Sequence, residues 1–198
     1  MAFKKTRAVQ ERAVALNSPG RRFLSCALTA ATVIGLGGCG AVYPPLATVD
    51  FVELGRYTGR WYEIARYPNS FEPGCVGVTA DYALREDGRI NVLNTCVEGN
   101  LDGNVRLIQG VARVVDPTTN AKLAVTFFPP FEGDYWILEL GANYEYAVVG
   151  DPSRTFLWIL SREPTMDEDL YADILSRLPE RSYDPNRLQL VPQHSDEQ

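Results

Sequence analysis

Few side chains in this sequence could do covalent chemistry, and their positions restrict what that chemistry would be. The 198 residues hold one histidine, His194, in the polar stretch PQHSDEQ. A histidine-based triad, a histidine–metal cluster and a haem held by a core histidine are therefore not expected. No Gly-rich phosphate loop occurs, and no catalytic residue, metal or cofactor is assigned. Of the four cysteines, Cys26 and Cys39 lie in an apolar run, FLSCALTAATVIGLGGCG. Cys75 and Cys96 instead flank a hairpin, CVGVTADYAL, then REDG, then RINVLNTC, in which Asp87-Gly88 supplies the turn. Pairing Leu84 with Arg89 brings the two cysteines within two residues of register, a gap that a bulge would close. In an exported chain such an even pair is expected as a disulfide, with two buried free thiols as the alternative. Glu63, two residues after Trp61, shares its strand parity and is expected in a buried salt bridge; a general base is the alternative.

Export is what the N-terminus implies. Lys4, Lys5, Arg7, Arg12, Arg21 and Arg22 precede the apolar run, against a single acid, Glu11. A basic start followed by about 16 apolar and small residues reads as a secretory signal, not a spanning helix. Its end, Leu36-Gly37-Gly38-Cys39, resembles the lipobox of bacterial lipoproteins, where the Cys thiol is joined to diacylglycerol before cleavage. That resemblance implies a signal peptide over 1–38, lipid attachment at Cys39 with palmitate-type acyl chains, and a lipidated tether over 39–49. Three acyl chains would hold the protein on a membrane far more firmly than one. Gly40 follows the cysteine where an Asp would resemble an inner-membrane retention signal, so the expected location is the bacterial outer membrane, lipid-anchored on the periplasmic side. Arg21-Arg22 leaves export by the general or the twin-arginine route open. From Cys39 onward there are 13 basic and 24 acidic residues, which argues against nucleic acid as a partner, since both are anionic.

These groups must be positioned by β-structure. After Phe51 the chain breaks into short runs rich in Val, Ile, Tyr, Phe and Trp, separated by Gly, Pro, Asp and Asn. Strands are predicted near 60–67, 75–84, 89–97, 104–115, 121–128, 134–140, 144–150 and 155–162. Eight strands with short turns point to an up-and-down barrel or a sandwich. PTMDEDLYADILSRLP then reads as one amphipathic helix, with a Thr165–Glu168 capping box and Leu170, Ile174, Leu175 and Leu178 on one face. The preceding TFLWIL is apolar at both parities, as a barrel strand covered outside by a helix must be. The expected fold is all-β, an eight-stranded antiparallel up-and-down barrel over 50–192 with one C-terminal α-helix packed outside, a last short strand LQLV, and a polar tail over 193–198.

The motifs now resemble a known family. GRWYEIARYPNSFE resembles the first motif of lipocalins, G-x-W on the first strand, and YAVVG and WILSR resemble the later signatures. AKLAVTFFPPF followed by YWILEL is similar to the middle strands of bacterial lipocalins and of apolipoprotein D. The resemblance covers roughly residues 50–192 and points to the bacterial outer-membrane lipoprotein group. It implies that Trp61 closes the base of the barrel with Arg162 across its ring, and that Gly59 lets the backbone approach there. Gly59, Trp61 and Arg162 are thus structural. It also implies a barrel that holds a lipophilic ligand, with Trp136 and Trp158 at positions that contact ligand in the family.

Period-2 alternation then assigns the lumen. Arg162 turned toward Trp61 puts Leu160, Trp158 and Phe156 inside. With Glu139 outward, Trp136, Leu138 and Leu140 go in. Leu123, Val125 and Phe127 go in, as do Val76, Val78, Ala80 and Tyr82, and Glu145 outward puts Tyr144, Tyr146 and Val148 inside. The expected ligand-binding set is Trp136, Trp158, Tyr146, Phe127, Leu138, Phe156 and Tyr82. An apolar cavity with a few phenols suits a fatty acid, a lysophospholipid or another amphiphilic lipid. The expected function is binding, storage or transport of such a lipid at the membrane, with a lipid- or isoprenoid-modifying enzyme on the same fold as the alternative.

Overall fold

A computed structural model describes residues 43–194; Cys39 and the signal-like segment lie outside the described residues. A short helix α1 (Leu54–Tyr57) leads into β1 (Gly59–Arg66), β2 (Cys75–Leu84), β3 (Ile90–Glu98), β4 (Val105–Val114), β5 (Lys122–Phe128), β6 (Phe131–Leu140), β7 (Tyr146–Gly150) and β8 (Leu157–Ser161). Then come α2 (Glu168–Arg177), two 3-10 turns, and β9 (Gln189–Leu190). Each strand pairs antiparallel with the next, β8 returns to β1, and β1 also pairs with β2, so the eight strands close on themselves. Closure leaves no free edge. β9 adds to β1 where β2 has diverged, Ala65 facing Leu190.

Turn chemistry sets the register. Between β2 and β3, Gly88 takes φ +78° and the Asp87 carboxylate accepts from the Arg89 amide at 3.1 Å. Leu84 consequently faces Ile90. A bulge between Val76 and Thr79, with Gly77 at φ +54°, brings Cys75 opposite Glu98 and lets Cys75 and Cys96 bond with their Cα atoms 5.3 Å apart. The bulge also groups Val78 with this bridge and Val191 and apart from the main interior cluster.

One end of the barrel is closed by the anchors that the first motif contributes. Trp61 is fully buried and donates through Nε1 to the Tyr57 carbonyl at 2.8 Å. The Arg162 guanidinium lies 3.8 Å over the Trp61 ring and donates to the carbonyls of Arg56, Tyr57 and Arg60. Those carbonyls belong to the end of α1 and the start of β1, where no strand partner would satisfy them all. Gly59 sits between them at φ +91°, a conformation costly for any residue with a Cβ.

Outside, α2 covers β8 and β1. Its N-cap is Asp167, whose carboxylate accepts from the Leu170 amide at 2.9 Å, two residues beyond the expected Thr165 box. An Asp at this place both caps the free N–H and adds charge favourable to the helix start. Ile174 and Leu178 are fully buried against Ile64, Leu157 and Ile159. Glu139 on β6 fastens the far end of the helix, pairing with Arg177 at 2.8 Å and Arg181 at 2.9 Å.

Candidate functional site

Inside the barrel, Trp61 belongs to an apolar cluster that includes Val92, Leu123, Ile137, Val149 and Leu160. Three phenols meet beside it, the Tyr57 ring 5.0 Å from Trp61: Tyr57 and Tyr135 are joined oxygen to oxygen at 2.7 Å, and Tyr82 donates to Tyr135 at 3.0 Å. Burial raises the pKa of all three, so they remain neutral hydroxyls.

Toward the β1–β2 end of β1 the interior carries charge. Glu63 is registered with Leu160 and Arg66 with Trp158, both interior residues, because a bulge between Glu63 and Ala65 adds one residue to β1. Arg66 donates to the Glu63 carboxylate at 2.7 Å and to the carbonyls of Glu72 at 3.2 Å and Cys75 at 2.9 Å. Glu72, on the loop from β1 to β2, accepts from Trp158 Nε1 and from Asn69 Nδ2, both at 3.3 Å, through Oε1. Two acids thus share one guanidinium in a space removed from water. Burial, and then the charge of Glu72, raise the Glu63 carboxyl well above its ordinary value, and the opposing pull of Arg66 does not cancel them. Glu72 Oε2 makes no hydrogen bond but lies 3.9 Å from the Arg66 guanidinium, and Asn94 Oδ1, further along the wall, is buried without a hydrogen-bond partner. Asn94 faces Ala80, which in turn faces Trp61.

The open end is rimmed by aromatics. Trp158 stacks on Phe156 with centroids 5.8 Å apart, and Phe71, from the same loop as Glu72, lies 5.4 Å from Phe156 and 6.3 Å from Trp158. This loop therefore folds over the mouth, held by Glu72 below and Phe71 above.

Of the residues expected to line the lumen, Tyr82, Phe127 and Trp158 pack on the interior cluster, and Phe156 stands at the rim. Trp136, Leu138 and Tyr146 do not; they join the cluster between barrel and helix. The cause on β6 is a bulge: Ile137 faces Val149 and Glu139 faces Val148, leaving Leu138 as an extra residue. Glu139 and Leu140 keep the expected sides, but everything before the bulge is inverted. Tyr135 and Ile137 point in, and Trp136 points out beneath the Lys122 ammonium at 4.4 Å. On β7, Tyr144 takes φ +64°, which breaks the alternation before the strand starts, so Ala147 and Val149 go in and Tyr146 and Val148 go out. Arg66, Glu72, Tyr57, Tyr135 and Asn94 were not foreseen as interior groups. The one available signal was Glu63 at the parity of Trp61.

A closed eight-stranded antiparallel barrel with a Trp–Arg floor, an apolar interior that carries phenols and an acid–arginine cluster, and a single external helix defines the class of small up-and-down β-barrels. The family comparison agrees: the Lipocalin-like domain model matches residues 52–193. The chain is 40% identical over 159 residues to the outer membrane lipoprotein Blc of Vibrio cholerae, spanning 80% of this chain and 92% of that one. It is 41% identical over 157 residues to temperature-induced lipocalin-1 of Arabidopsis thaliana, spanning 75% and 83%. Among solved structures, insecticyanin from the tobacco hornworm Manduca sexta superposes with a TM-score of 0.63 at 20% identity, over 78% of this chain and 87% of that one, and shares the fold. The chain belongs to the lipocalin family, in the group that includes the bacterial outer membrane lipoproteins Blc.

Proposed function

We propose that this protein is an outer-membrane lipoprotein, anchored through Cys39, whose barrel binds and carries a membrane-derived amphiphile with its chain among the interior apolar residues. The observation that carries the reading is a set of polar groups enclosed among apolar walls: Glu63, Arg66 and Glu72 in one cluster, and Asn94 Oδ1 buried without a donor. A buried acceptor without a donor is unfavourable by about 1–3 kcal/mol, and a ligand head that donates hydrogen bonds relieves it. With two acids and one arginine around the same space, a hydroxyl or ammonium head is favoured over a bare carboxylate. A lysophospholipid fits these demands better than a fatty acid. Tyr82, Phe127 and Trp158 are the proposed ligand wall, with Phe156 at the entrance.

Native mass spectrometry of the purified protein after mild extraction tests this. A bound lysophospholipid or similar single-chain lipid is expected, exchangeable for added lipid. A barrel that never carries or takes up lipid would overturn the reading. Turnover is the second reading, favoured by Glu63, a buried carboxyl with a raised pKa. Steady release of product from lysophospholipid, abolished in Glu63→Gln, would establish it; stoichiometric binding without product would exclude it.

A further inference from the structure

Antiparallel order sends the β1–β2, β3–β4, β5–β6 and β7–β8 connections to one end of the barrel, the end opposite Trp61. At this open end the β5–β6 connection is Phe127-Phe128-Pro129-Pro130-Phe131. Phe127 turns into the barrel, but Phe128 is 66% and Phe131 76% exposed, the two most exposed aromatic side chains among the described residues. Phe71, on the β1–β2 loop, is half exposed at the same end. Apolar surface of this size is normally withdrawn from water or reserved for a partner. No unpaired charge interrupts the tip: the adjacent Glu132 is held in a two-point pair with Arg113, at 2.9 and 2.5 Å.

A second, independent feature converges on this end. The described chain starts at Tyr43, whose ring lies 5.1 Å from the Arg154 guanidinium, and Arg154 donates to the Pro44 carbonyl at 2.7 Å. Arg154 belongs to the β7–β8 connection, so the N-terminal segment begins beside the open end and runs from there toward the floor, where Val52 bonds to Thr119. Cys39 is four residues before Tyr43, a reach of about 14 Å at full extension. An acyl chain joined to Cys39 is held by the chain itself within that reach of Tyr43.

We infer that the open end docks on the bilayer, with Phe128 and Phe131 inserted in the interfacial region of a zwitterionic lipid surface. Zwitterionic lipid is the partner because the acidic body would be repelled by a strongly anionic one. The tether part rests on the Cys39 reading above, whereas the aromatic tip does not. Docked this way, the mouth faces the leaflet, and a lipid enters past Phe71, Phe156 and Trp158 without crossing water. A second copy of the chain is the competing occupant of the tip.

The test uses the full-length protein with an excess of phosphatidylethanolamine–phosphatidylcholine vesicles whose acyl chains carry bromine. A fluorescent amino acid is incorporated in place of Phe131 on the tip and, as control, in place of Leu84 in the β2–β3 hairpin at the closed end, where the native side chain is half exposed, so that Cys26 and Cys39 carry no label. Quenching at 131 about threefold or more above that at 84 is expected, whether or not Cys39 proves acylated, because insertion depth reports the tip itself. Equal quenching, stronger quenching at 84, or a 131 signal that responds to protein concentration and not to vesicles would overturn the proposal. A second variant separates docking from ligand binding. Phe128→Ser/Phe131→Ser should take up fluorescent lysophospholipid from vesicles about tenfold more slowly, with unchanged affinity for the dissolved monomer. Unchanged uptake would overturn the proposal, whereas a native protein that binds no lipid would sink the functional reading and leave the quenching result standing.

Discussion

At the scale of single residues, two tryptophans on the same barrel have opposite duties. Trp61 is sealed between α1 and Arg162, so Trp61→Ala should destabilise by about 3–5 kcal/mol. Trp158 lines the interior near the mouth and also holds Glu72 and Phe71. Trp158→Ala should lose less stability but weaken lipid affinity at least about tenfold, once the folded fraction is corrected. Melting temperature and lysophospholipid affinity measured on both variants decide it, and equal losses of affinity would remove the division between floor and wall. Glu63 gives a pH signature. Burial and Glu72 raise its carboxyl above 4.5, so above that pH the native state keeps a proton that the unfolded chain releases. Stability is fully present below 4.5 and declines as pH rises toward the native value. Glu63→Gln should flatten this decline in urea titrations at about pH 4.5, 6 and 8; parallel declines in variant and parent would show that another group is responsible. The anchors of the floor were legible in the sequence because they form local motifs, Gly59 and Trp61 two apart and Arg162 ending WILSR. The acid–arginine cluster was not, because Arg66 reaches the Glu63 side only through a bulge, and Glu72 arrives from a loop.

At the scale of elements, strand order, the β2–β3 hairpin and the external helix follow from turn residues and periodicity, which act over a few neighbours. Parity fails where the backbone breaks its own rhythm. The extra Leu138 and the left-handed Tyr144 exchange the faces of Trp136 and Tyr146, and neither residue type announces a bulge or a positive φ. The same kind of irregularity works in favour of the disulfide, since without the Gly77 bulge Cys75 and Cys96 would miss each other along the ladder. The bridge ties the mouth-side ends of β2 and β3 beside the loop that carries Phe71 and Glu72. Its loss through Cys75→Ala/Cys96→Ala should destabilise by about 2–4 kcal/mol on the loop-entropy model, and the mouth should loosen first. Hydrogen exchange checks this: amides of residues 67–76 are expected to lose protection before those of α2. Uniform loss across the barrel would mean that the bridge serves global stability alone.

At the scale of the whole molecule, the charge distribution, the tether and the barrel describe one arrangement. The basic residues before the apolar run and the acidic body after Cys39 suit export followed by residence where the body is not drawn onto anionic lipid. Among the described residues no helix is long and apolar enough to cross a membrane; on the proposed reading the firm attachment is the acyl chains on Cys39. A thiol is the only side chain at that position able to supply the thioether sulfur, and serine, of nearly the same size, cannot. Each buried methylene of an acyl chain contributes about 0.8 kcal/mol, so the loss of the chains outweighs whatever the aromatic tip alone supplies. Cys39→Ser in the full-length chain should therefore incorporate no labelled palmitate and accumulate as an uncleaved or mislocalised precursor. The barrel itself should be unaffected, because its floor, cluster and bridge are held by contacts among residues 56–162, and the variant should retain lysophospholipid binding after extraction. Label on the variant, or full recovery of it with the outer membrane, would refute the anchor. Loss of lipid binding along with the label would mean instead that the N-terminal segment takes part in the ligand site.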